Sequence, residues 1–404
     1  MKILLITSRF RPLVGGVEAV VETLAENLSL NHSVTVVTSL TLDQYIKSKY
    51  PNYDEFSKYK RLLLKILYGF LSIKSKDSDT ENYEIYRFWI NLPRSFLGYL
   101  AFPYRVVVST ISFINFVKKQ NFDVINYHFP DDSAFYVYVM LFFVHKPLVL
   151  NIHGNDLHVF SYKQSYSHFI SKLVKKADKI VVNSEYMRND FNKRFNRYSR
   201  KVVIIPNGID VEAFSKVEPR PYFSNDYIFF VGRMVHKKGV DVLLRAFAKA
   251  NIENFSLFIE GRGEELDSIL ELADVLNIKG KVNFGLGKVD TESKNKYQKA
   301  AIFGVIPSRI EPFGIVALEM MATGTPIIAS RTGGLATILK NRRNCLFFEN
   351  ENIDDLADKI KELYSDKELR TKMSENNIID VKKYDHKEIT KEYVNLFNKI
   401  IKNR

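Results

Sequence analysis

The segment EPFGIVALEMMATGTPIIAS, residues 311 to 330, places two carboxylates in an otherwise apolar, turn-forming stretch. Its pattern predicts a helix from Gly314 that stops at Gly324, because glycine suits a left-handed cap and proline cannot continue a helix. The apolar residues of this helix point in nearly every direction, so we expect it to be packed on all sides. Glu319 then needs a partner, since an isolated buried carboxylate is costly. Either a basic side chain or ligand hydroxyl groups can supply one.

Cationic and glycine-rich loops follow two other predicted strands. The loop after YIFFV contains Arg233 and Lys238, whose guanidinium and ammonium groups together can neutralise a diphosphate. The alternative for this pair is ordinary surface solvation. Gly261 and Gly263 follow the strand FSLFIE, where a glycine backbone can approach a phosphate closely.

The predicted helix start combines two kinds of group that suit different ligands. Phe313, Gly314 and Ile315 offer backbone N–H groups, which together with the helix dipole favour an anion. The carboxylates of Glu311 and Glu319 do not favour one. The conflict disappears for a mixed ligand, whose phosphates face the amides and the cationic loop while its hydroxyl groups donate to the carboxylates. A nucleotide-sugar fits this description.

Other motifs carry weaker signals. Gly15 and Gly16 lie just ahead of a predicted helix, but the GxGxxG dinucleotide fingerprint is absent, and a pair of turn glycines is the simpler interpretation. Asp77-Ser78-Asp79 has the letters of a metal-binding Asp-x-Asp pair, yet it follows a polar segment with no predicted strand, so we interpret it as solvated. No HExxH motif, His/Cys cluster or GxSxG motif occurs. The sequence therefore predicts no metal site and no cofactor.

The composition fits a globular, basic chain of two domains. Its 404 residues exceed one ordinary domain, and 46% hydrophobic residues can build sizeable cores. Cys345 is the only cysteine, which excludes an internal disulfide framework. A net charge of +13 biases partners toward nucleic acid, anionic lipid or phosphorylated metabolites. Residues 161 to 201 hold eleven Lys or Arg against three acids, which fits a solvated helical face as well as a membrane-surface or anion-docking role.

Apolar runs short enough for strands alternate with helical patterns along the chain. This alternation predicts two α/β domains, each a doubly wound parallel sheet, with the ligand in the cleft between them. The polar stretch 217 to 226 is interpreted as a linker, and residues 40 to 115, with Trp89, as an acceptor-recognition insertion or an irregular part of the first domain. The first run reads as a strand and not as a signal peptide, and no transmembrane helix is expected.

Taken in order, the motifs resemble a known family, the retaining glycosyltransferases of family 4 (glycosyl transferases group 1), with the GT-B fold of two facing Rossmann-like domains. The resemblance covers nearly the whole chain. It is carried by GGVE (15 to 18), NIHGND (151 to 156), VVNSE (181 to 185), IPNGID (205 to 210), GRMVHKKG (232 to 239), EGRGEE (260 to 265), residues 307 to 330 and GG (333 and 334). The glutamates Glu311 and Glu319 are the most specific feature in this context.

The resemblance implies an acceptor-binding domain over 1–212, a donor-binding domain over 213–385, and a C-terminal helix, about 386–404, that packs back on the first domain. It implies that His153, Arg233, Lys238 and Glu311 act at the reacting centre. It also implies a set of substrate-binding residues: Gly15, Gly16, Asn207, Gly261, Gly263, Pro312, Phe313, Gly314, Ile315 and Glu319. In this scheme Gly15 and Gly16 let the first domain close over the donor diphosphate.

The implied activity is metal-independent transfer of a hexose-type sugar from a UDP- or GDP-sugar, with retention, to a glycan or lipid-linked acceptor of a cell-surface polysaccharide or glycoconjugate. A nucleotide-sugar epimerase and a catalytically silent nucleotide-sugar binding protein are the alternatives. We expect a cytoplasmic protein in peripheral contact with anionic membrane, and no nucleic-acid partner, because no recognition module is visible. The base, the sugar, the acceptor and the oligomeric state do not follow from the sequence.

Overall fold

The protein consists of two compact units. The structure is a computed structural model that describes residues 1–8, 10, 16–39, 56–57, 59–61, 74–77, 82–88, 90, 102–131, 133–154, 157 and 164–403. The first unit comprises residues 1–182, 190–205 and 390–404, and the second comprises residues 183–189 and 206–389. The domain boundaries predicted from the sequence are 212/213 and 385/386. They lie a few residues from 205/206 and 389/390, where the chain passes between the two units.

The first unit is built on an eight-stranded sheet. Its strands are β1 Lys2–Thr7, β2 Ser33–Ser39, β3 Lys74–Asp77, β4 Glu84–Phe88, β5 Val124–His128, β6 Leu148–Ile152, β7 Lys179–Val182 and β8 Val202–Ile204. They lie in the order β3-β4-β2-β1-β5-β6-β7-β8, all parallel except the edge strand β3. The central strands are almost completely buried, because helices cover both faces of a parallel sheet.

Helices alternate with these strands. They are α1 Gly16–Ser29, α2 Phe102–Gln120, α3 Ala134–Met140, α4 Gln164–Lys176 and α5 Glu185–Phe195, followed by a 3-10 helix Asn196–Lys201. No helix within the described ranges is both long enough and apolar enough to span a bilayer.

The second unit is a six-stranded parallel sheet. Its strands are β9 Tyr227–Val231, β10 Ser256–Glu260, β11 Val282–Phe284, β12 Phe303–Ile306, β13 Ile327–Ser330 and β14 Cys345–Phe348, in the order β11-β10-β9-β12-β13-β14. Its helices are α6 Val211–Ser215, α7 Val240–Ala250, α8 Leu266–Val275, α9 Thr291–Ala300, α10 Ile315–Ala322, α11 Leu335–Ile338, α12 Ile353–Ser365 and α13 Lys367–Asp380. The last helix, α14 His386–Lys402, begins in this unit and ends in the first. The structure therefore has the predicted fold class, two doubly wound α/β domains.

The helix predicted in the segment 311 to 330 is confirmed as α10. It ends where expected, since Thr323 is its C-cap and Gly324 has a φ of 73°. Strand β13 follows it, as predicted. Residues of α10 on several faces are buried, among them Ala317, Leu318 and Met321, so the helix is enclosed as its composition suggests.

Three sequence interpretations need correction or fall outside the described residues. The stretch 217 to 226 is no free linker, because the ring of Tyr222 stacks on Phe258 at 4.2 Å and the segment belongs to the second unit. Asp77 ends a strand, β3, which the polar sequence KSKD did not suggest; Ser78 and Asp79 lie outside the described residues. Most of residues 40 to 115, with Trp89, also lie outside them, and the described parts contribute β3, β4 and α2.

Gly261 is required by packing of the backbone. Its φ is 148°, and a Cβ placed there would lie 1.8 Å from the carbonyl oxygen of Gly232. Gly280, in contrast, has no atom within 4 Å of the position that a Cβ would occupy. The two glycines of one unit therefore form a matched pair for testing the tight turn after β10.

We expect Gly261→Ala to lower the free energy of unfolding by about 1–3 kcal/mol from backbone strain alone. Gly280→Ala should leave it unchanged or raise it by about 0.4–1 kcal/mol, because alanine restricts the unfolded chain. Urea unfolding of both variants measures the difference. Equal midpoints for the two variants would show that the turn tolerates a side chain.

Candidate functional site

The loops after β9 and β12 meet where the strand order of the second sheet reverses. Strand β9 leads to β10 and β11 on one side, whereas β12 leads to β13 and β14 on the other. In open α/β sheets, the carboxyl ends of the strands at such a switch point form the ligand-binding crevice. The two loops are joined through their backbones, since the N–H of Arg309 donates to the carbonyl of Lys237 at 2.8 Å. Gly239 permits the approach, because its φ is 63° and a Cβ would lie 2.2 Å from the Pro307 carbonyl oxygen.

Lys238 and Glu311 form an ion pair across these loops. The distance from Lys238 Nζ to Glu311 Oε2 is 2.5 Å, and the two side chains are 19% and 12% exposed. Ser308 Oγ donates to the same carboxylate oxygen at 3.3 Å. Sequence reasoning predicted both charged residues as site residues but not their contact with each other.

Arg309 also stabilises these loops, through hydrogen bonds from its guanidinium group. Its guanidinium makes two 2.8 Å hydrogen bonds to the carboxylate of Asp241, one at 2.6 Å to Glu351 and one at 2.8 Å to the carbonyl of His236. Burial by itself would raise the pKa of Asp241, but the hydrogen bonds from Arg309 outweigh it and lower that pKa overall. The hydrogen bond to Asp241 raises the pKa of Arg309, so both groups stay charged.

Arg233 lies in the same loop as Lys238 but is exposed. Within the part of the chain that the structure describes, its guanidinium makes no ion pair or hydrogen bond. The loop beneath it is fixed, because Met234 is buried and its backbone N–H donates to the carbonyl of Arg262 at 2.9 Å. Gly263 allows this contact, since a Cβ there would lie 2.1 Å from the Met234 carbonyl oxygen. The guanidinium group of Arg233 therefore extends from a rigid loop and is available to bind an anion.

The start of α10 lies next to the ion pair. Gly314 has a φ of 108°, and no side chain caps the helix, so the first N–H groups have no acceptor within the helix. The double glycine of residues 333 and 334 supports this turn: the N–H of Gly334 donates to the carbonyl of Glu311 at 2.8 Å. The Pro312 carbonyl accepts from Ser184 Oγ at 2.8 Å, and Phe313 is buried in the core.

Glu319 has the basic partner that its burial requires. Lys294 of α9 lies 3.3 Å from Glu319 Oε2, and each of the two side chains is 17% exposed. Sequence reasoning left open a basic side chain or ligand hydroxyl groups, and the structure contains the basic side chain. Lys294 itself was missed, because a lysine in the polar helix TESKNKYQKA has no feature that separates it from its solvated neighbours.

Glu260, at the end of β10, is an acidic residue that the sequence analysis did not single out. It is 5% exposed, and burial raises its pKa. A Cβ at Gly285 would lie 1.8 Å from Glu260 Oε2, so a side chain at Gly285 would have to displace the carboxylate of Glu260. Among the described residues, no group of three or more His, Cys, Asp or Glu side chains could hold a metal ion.

In the first unit, His153 follows β6 and contacts a histidine that the sequence did not single out. His153 Nε2 lies 3.1 Å from Nδ1 of His128, the last residue of β5. Burial lowers the pKa of His153 to about 4. Burial, and then the neighbouring His153, lower the pKa of His128 well below its usual value. Both rings are therefore neutral at pH 7.

Three other predicted residues come from other segments of the sequence. Gly16 is the first residue of α1, and Gly15 lies outside the described residues. Asn207 is buried in the segment before α6. No hydrogen bond within the described ranges joins Asn207 to the residues around Lys238.

The two doubly wound domains have the GT-B fold, which this chain shares with solved structures over nearly its whole length. Sucrose-phosphate synthase (tll1590) from Thermosynechococcus elongatus is similar over 100% of both chains, with a TM-score of 0.78 and 20% identity. Anabaena Alr3699/HepE, in complex with UDP and glucose, gives a TM-score of 0.73 at 17% identity over 98% of this chain and 99% of that chain. At such identities the likeness establishes the fold alone.

The sequence establishes the family. Residues 14–213 match Glycosyltransferase Family 4, and residues 214–379 match Glycosyl transferases group 1. The uncharacterised glycosyltransferase MJ1178 of Methanocaldococcus jannaschii is 30% identical over 264 residues, which are 65% of this chain and 71% of that relative. A D-inositol 3-phosphate glycosyltransferase of Corynebacterium jeikeium is 32% identical over 50% of this chain and 53% of its own length. The chain therefore belongs to glycosyltransferase family 4, the glycosyl transferases group 1, and the resemblance inferred from the motifs is confirmed.

The Lys294–Glu319 pair can be tested against a neighbouring pair on the same helix. Lys294→Met leaves a mostly buried carboxylate without its cation, so we expect the free energy of unfolding to fall by about 1–3 kcal/mol. Lys296→Met breaks only the exposed pair with Glu292 and should cost about 0.3–0.5 kcal/mol. Urea unfolding measures both variants. Equal losses would show that Glu319 does not depend on Lys294.

Proposed function

We propose that this glycosyltransferase is a retaining, metal-independent hexosyltransferase that uses a UDP- or GDP-sugar as donor. Its acceptor would be a glycan or a lipid-linked glycan in the synthesis of a cell-surface polysaccharide or glycoconjugate. The observation that carries the proposal is the pairing of opposite charges at the carboxyl ends of β9 and β12. There Lys238 pairs with Glu311 directly before the uncapped start of α10.

A nucleotide-sugar offers a partner to each of these groups. Its phosphates would accept from Arg233, Lys238 and the first N–H groups of α10, where the helix dipole favours negative charge. Its ribose hydroxyls would donate to Glu319, and hydroxyls of the transferred sugar would donate to Glu311. Because Glu311 already lies against Lys238, one ion pair would contact both the diphosphate and the sugar. A bare anion would gain only half of these contacts.

The proposed reaction is a front-face transfer. The acceptor hydroxyl oxygen attacks the anomeric carbon on the face from which the diphosphate leaves, and the bond from that carbon to the diphosphate oxygen breaks. The acceptor proton passes to the departing phosphate oxygen, so the atoms and charges balance without a protein nucleophile. Arg233, Lys238 and the N–H groups stabilise the charge that develops on the leaving group. His153 would lie near the transferred sugar, as its motif NIHGND suggests by resemblance to the family.

Similar structures support a nucleotide-sugar donor without fixing the base. Structures of Anabaena Alr3699/HepE contain UDP or UDP-glucose. The catalytic domain of starch synthase IV from Arabidopsis thaliana, with a TM-score of 0.70, contains ADP and acarbose. The protein would accordingly be tested with uridine, guanosine and adenosine diphosphate sugars together.

We expect one of the UDP-, GDP- or ADP-sugars to raise the melting temperature, because a ligand that binds only the folded state stabilises it by about 2.7 kcal/mol at 100 times Kd. Glu319→Gln should weaken binding of this nucleotide-sugar by about tenfold or more, because its ribose hydroxyls lose a charged hydrogen-bond acceptor worth about 1.5–3 kcal/mol. Glu292→Gln, on the exposed face of α9, is the matched control and should bind as the wild type does.

The chemistry is tested on the same protein. Free nucleoside diphosphate should accumulate only when an acceptor is present, at a rate that excess EDTA does not change. Conversion of the donor to a stereoisomer without an acceptor would indicate an epimerase instead. Binding without any turnover, across a panel of glycan and lipid-linked acceptors, would indicate a silent binding protein.

We also propose that the first unit docks on an anionic membrane through three of its helices. Helices α2, α3 and α4 contain six Lys or Arg and no Asp or Glu. Helix α3 lies between the other two, with contacts to both. Three neighbouring helices without an acidic residue are unusual in a chain with 46 Asp or Glu, and their charge suits an anionic partner.

Exposed apolar side chains accompany these charges. Phe142 and Phe143, after α3, are 51% and 54% exposed, and Tyr104, Val107 and Ile111 form an exposed row along one face of α2. We call these five residues, with Lys118, Lys172 and Lys176, the lysine–aromatic face. Lysine ammonium groups lie over its rings: Lys176 is 4.1 Å from the ring centroid of Phe142, and Lys118 is 5.5 Å from that of Phe143.

This combination matches the interface of an anionic bilayer. Aromatic rings enter the headgroup level, while lysine stems lie along apolar surface and extend their charges to the phosphates. Each lysine near such a surface contributes about 1 kcal/mol of attraction. A lipid-linked acceptor would be found at the same surface, so docking would bring the enzyme to its substrate.

The wild type is expected to sediment with vesicles that contain phosphatidylglycerol and not with pure phosphatidylcholine vesicles. Lys172→Gln/Lys176→Gln should weaken this binding by about thirtyfold, since two lysines at roughly 1 kcal/mol each contribute about 2 kcal/mol. Phe142→Ser/Phe143→Ser should also weaken it, because the aromatic rings no longer enter the headgroup level. Ile378→Ser/Ile379→Ser removes a second exposed apolar pair, on α13, and should have no effect. Equal sedimentation of all four proteins, or equal binding to both vesicle types, would contradict docking through this face.

A further inference from the structure

A chain of hydrogen bonds leads from His153 through the sheet of the first unit to its C-terminal helix. His153 Nε2 contacts His128 Nδ1 at 3.1 Å, and His128 Nε2 contacts Asn126 Nδ2 at 2.9 Å. Asn126 Oδ1 accepts from Asn151 Nδ2. Asn151 Oδ1 accepts from the hydroxyl of Tyr393 at 2.8 Å. The five residues come from β5, β6, the loop after β6 and α14.

The positions of these residues in the sheet explain why their hydrogen bonds are buried. Asn126 and His128 lie on β5 with side chains on the same face, and Asn151 pairs with His128 in the neighbouring strand register. Asn126 and His128 are 0% exposed, Asn151 is 1% and Tyr393 is 5% exposed. Buried polar groups of this kind need hydrogen-bond partners, so each member depends on the next.

One end of the chain fixes its direction. A hydroxyl group that meets an amide oxygen must donate to it, so Tyr393 is a donor and Asn151 Oδ1 an acceptor. Asn151 Nδ2 also points at the carbonyl oxygen of Tyr127, at 3.5 Å. Reversing the Asn151 amide would place its oxygen against that carbonyl oxygen, and neither could donate. Burial raises the pKa of Tyr393, which keeps its hydroxyl proton in place.

The direction then passes from residue to residue. Because Asn126 Oδ1 accepts from Asn151, Asn126 presents its NH₂ group to His128 Nε2, which must accept. A neutral His128 therefore carries its proton on Nδ1 and donates it to His153 Nε2. His153 in turn accepts at Nε2, and its own proton lies on Nδ1. Protonating either ring at its accepting nitrogen would set two N–H groups against each other.

We propose that His153 acts as a neutral imidazole that donates a hydrogen bond through Nδ1–H, and that Asn126, His128, Asn151 and Tyr393 are positioning residues that fix this tautomer. The role of the donated bond in sugar transfer rests on the proposed function; the tautomer does not. The low pKa of both histidines agrees with the chain, because each ring already uses its basic nitrogen as an acceptor in a buried setting. A ring nitrogen that carries its proton in this way is a donor and would not remove the proton of the acceptor hydroxyl.

The tautomer can be measured directly in the full-length protein labelled with ¹⁵N-histidine. Long-range ¹H–¹⁵N correlation spectra at pH 7 distinguish a protonated from an unprotonated ring nitrogen. His128→Gln and His153→Gln identify the two rings among the eight histidines. We expect Nδ1–H for both His128 and His153. An Nε2–H tautomer of His153 in the wild type, or a protonated ring, would overturn the proposal whether or not the enzyme proves active.

Asn126→Asp should reverse the chain. A carboxylate can still accept from Asn151, but its second oxygen now accepts from His128 Nε2–H, so both rings should change to the Nε2–H tautomer. Tyr393→Phe is the milder variant: it removes one of the two groups that hold the Asn151 amide in this orientation and leaves the other, the Tyr127 carbonyl, so the spectrum of His153 should then show some Nε2–H tautomer beside Nδ1–H. Tyr136→Phe removes a buried hydroxyl of the same unit outside the chain and should leave both rings unchanged. Unchanged spectra for both Asn126→Asp and Tyr393→Phe would overturn the proposal.

Activity supplies a second readout. We expect Asn126→Asp, in which His153 changes to the Nε2–H tautomer, to lower kcat about tenfold through loss of one hydrogen bond. The KM for the donor should stay within about twofold of the wild-type value, because the proposed donor-binding residues are in the other unit. A general loss of structure would instead change the melting temperature and KM as well. An Asn126→Asp enzyme with the Nε2–H tautomer and wild-type kcat would show that the tautomer has no role in transfer.

Discussion

The candidate donor site depends on the contact between Lys238 and Glu311. The pair closes the gap between two loops that leave the sheet in different directions, at the point where the strand order reverses. A lone lysine in this mostly enclosed position would be costly, and so would a lone glutamate, because each would give up hydration without compensation. Each of the two residues can therefore be charged in this position only because the other is present. The backbone contacts through Gly239 and Arg309 fix the distance between them.

Pairing also determines which ligands the site can favour. Glu311 pairs with Lys238, and Glu319 pairs with Lys294. Among these described site residues, Arg233 is the cation that has no protein partner. An anion alone would bring its charge toward two carboxylates and gain little. A ligand that combines phosphates with hydroxyl groups satisfies both members of each pair.

Local patterns predicted much of this, since the required information lies within short segments. The helix α10, its left-handed stop at Gly324 and the strand-end position of Arg233 each follow from a few consecutive residues. The partners of the polar groups do not. Lys294 is 25 residues from Glu319, and Tyr393 is 242 residues from Asn151, so only the folded chain brings them together. Strand β3 was missed for a related reason: its sequence, KSKD, is polar, and pairing with β4 decides its conformation.

The glycines show a second limit of sequence reasoning. Gly261 and Gly263 were interpreted as places where a phosphate approaches the backbone, and in the structure the backbone of the Gly232–Met234 loop occupies the space of their missing side chains. The two roles share one physical basis, the absence of a Cβ, and the sequence does not separate them. In this unit the tight packing serves the site indirectly, because it holds rigid the loop from which Arg233 extends. The two units thus orient their polar groups differently: the second uses ion pairs between charged side chains, and the first uses a neutral hydrogen-bonded chain whose direction is set by one tyrosine hydroxyl and one backbone carbonyl.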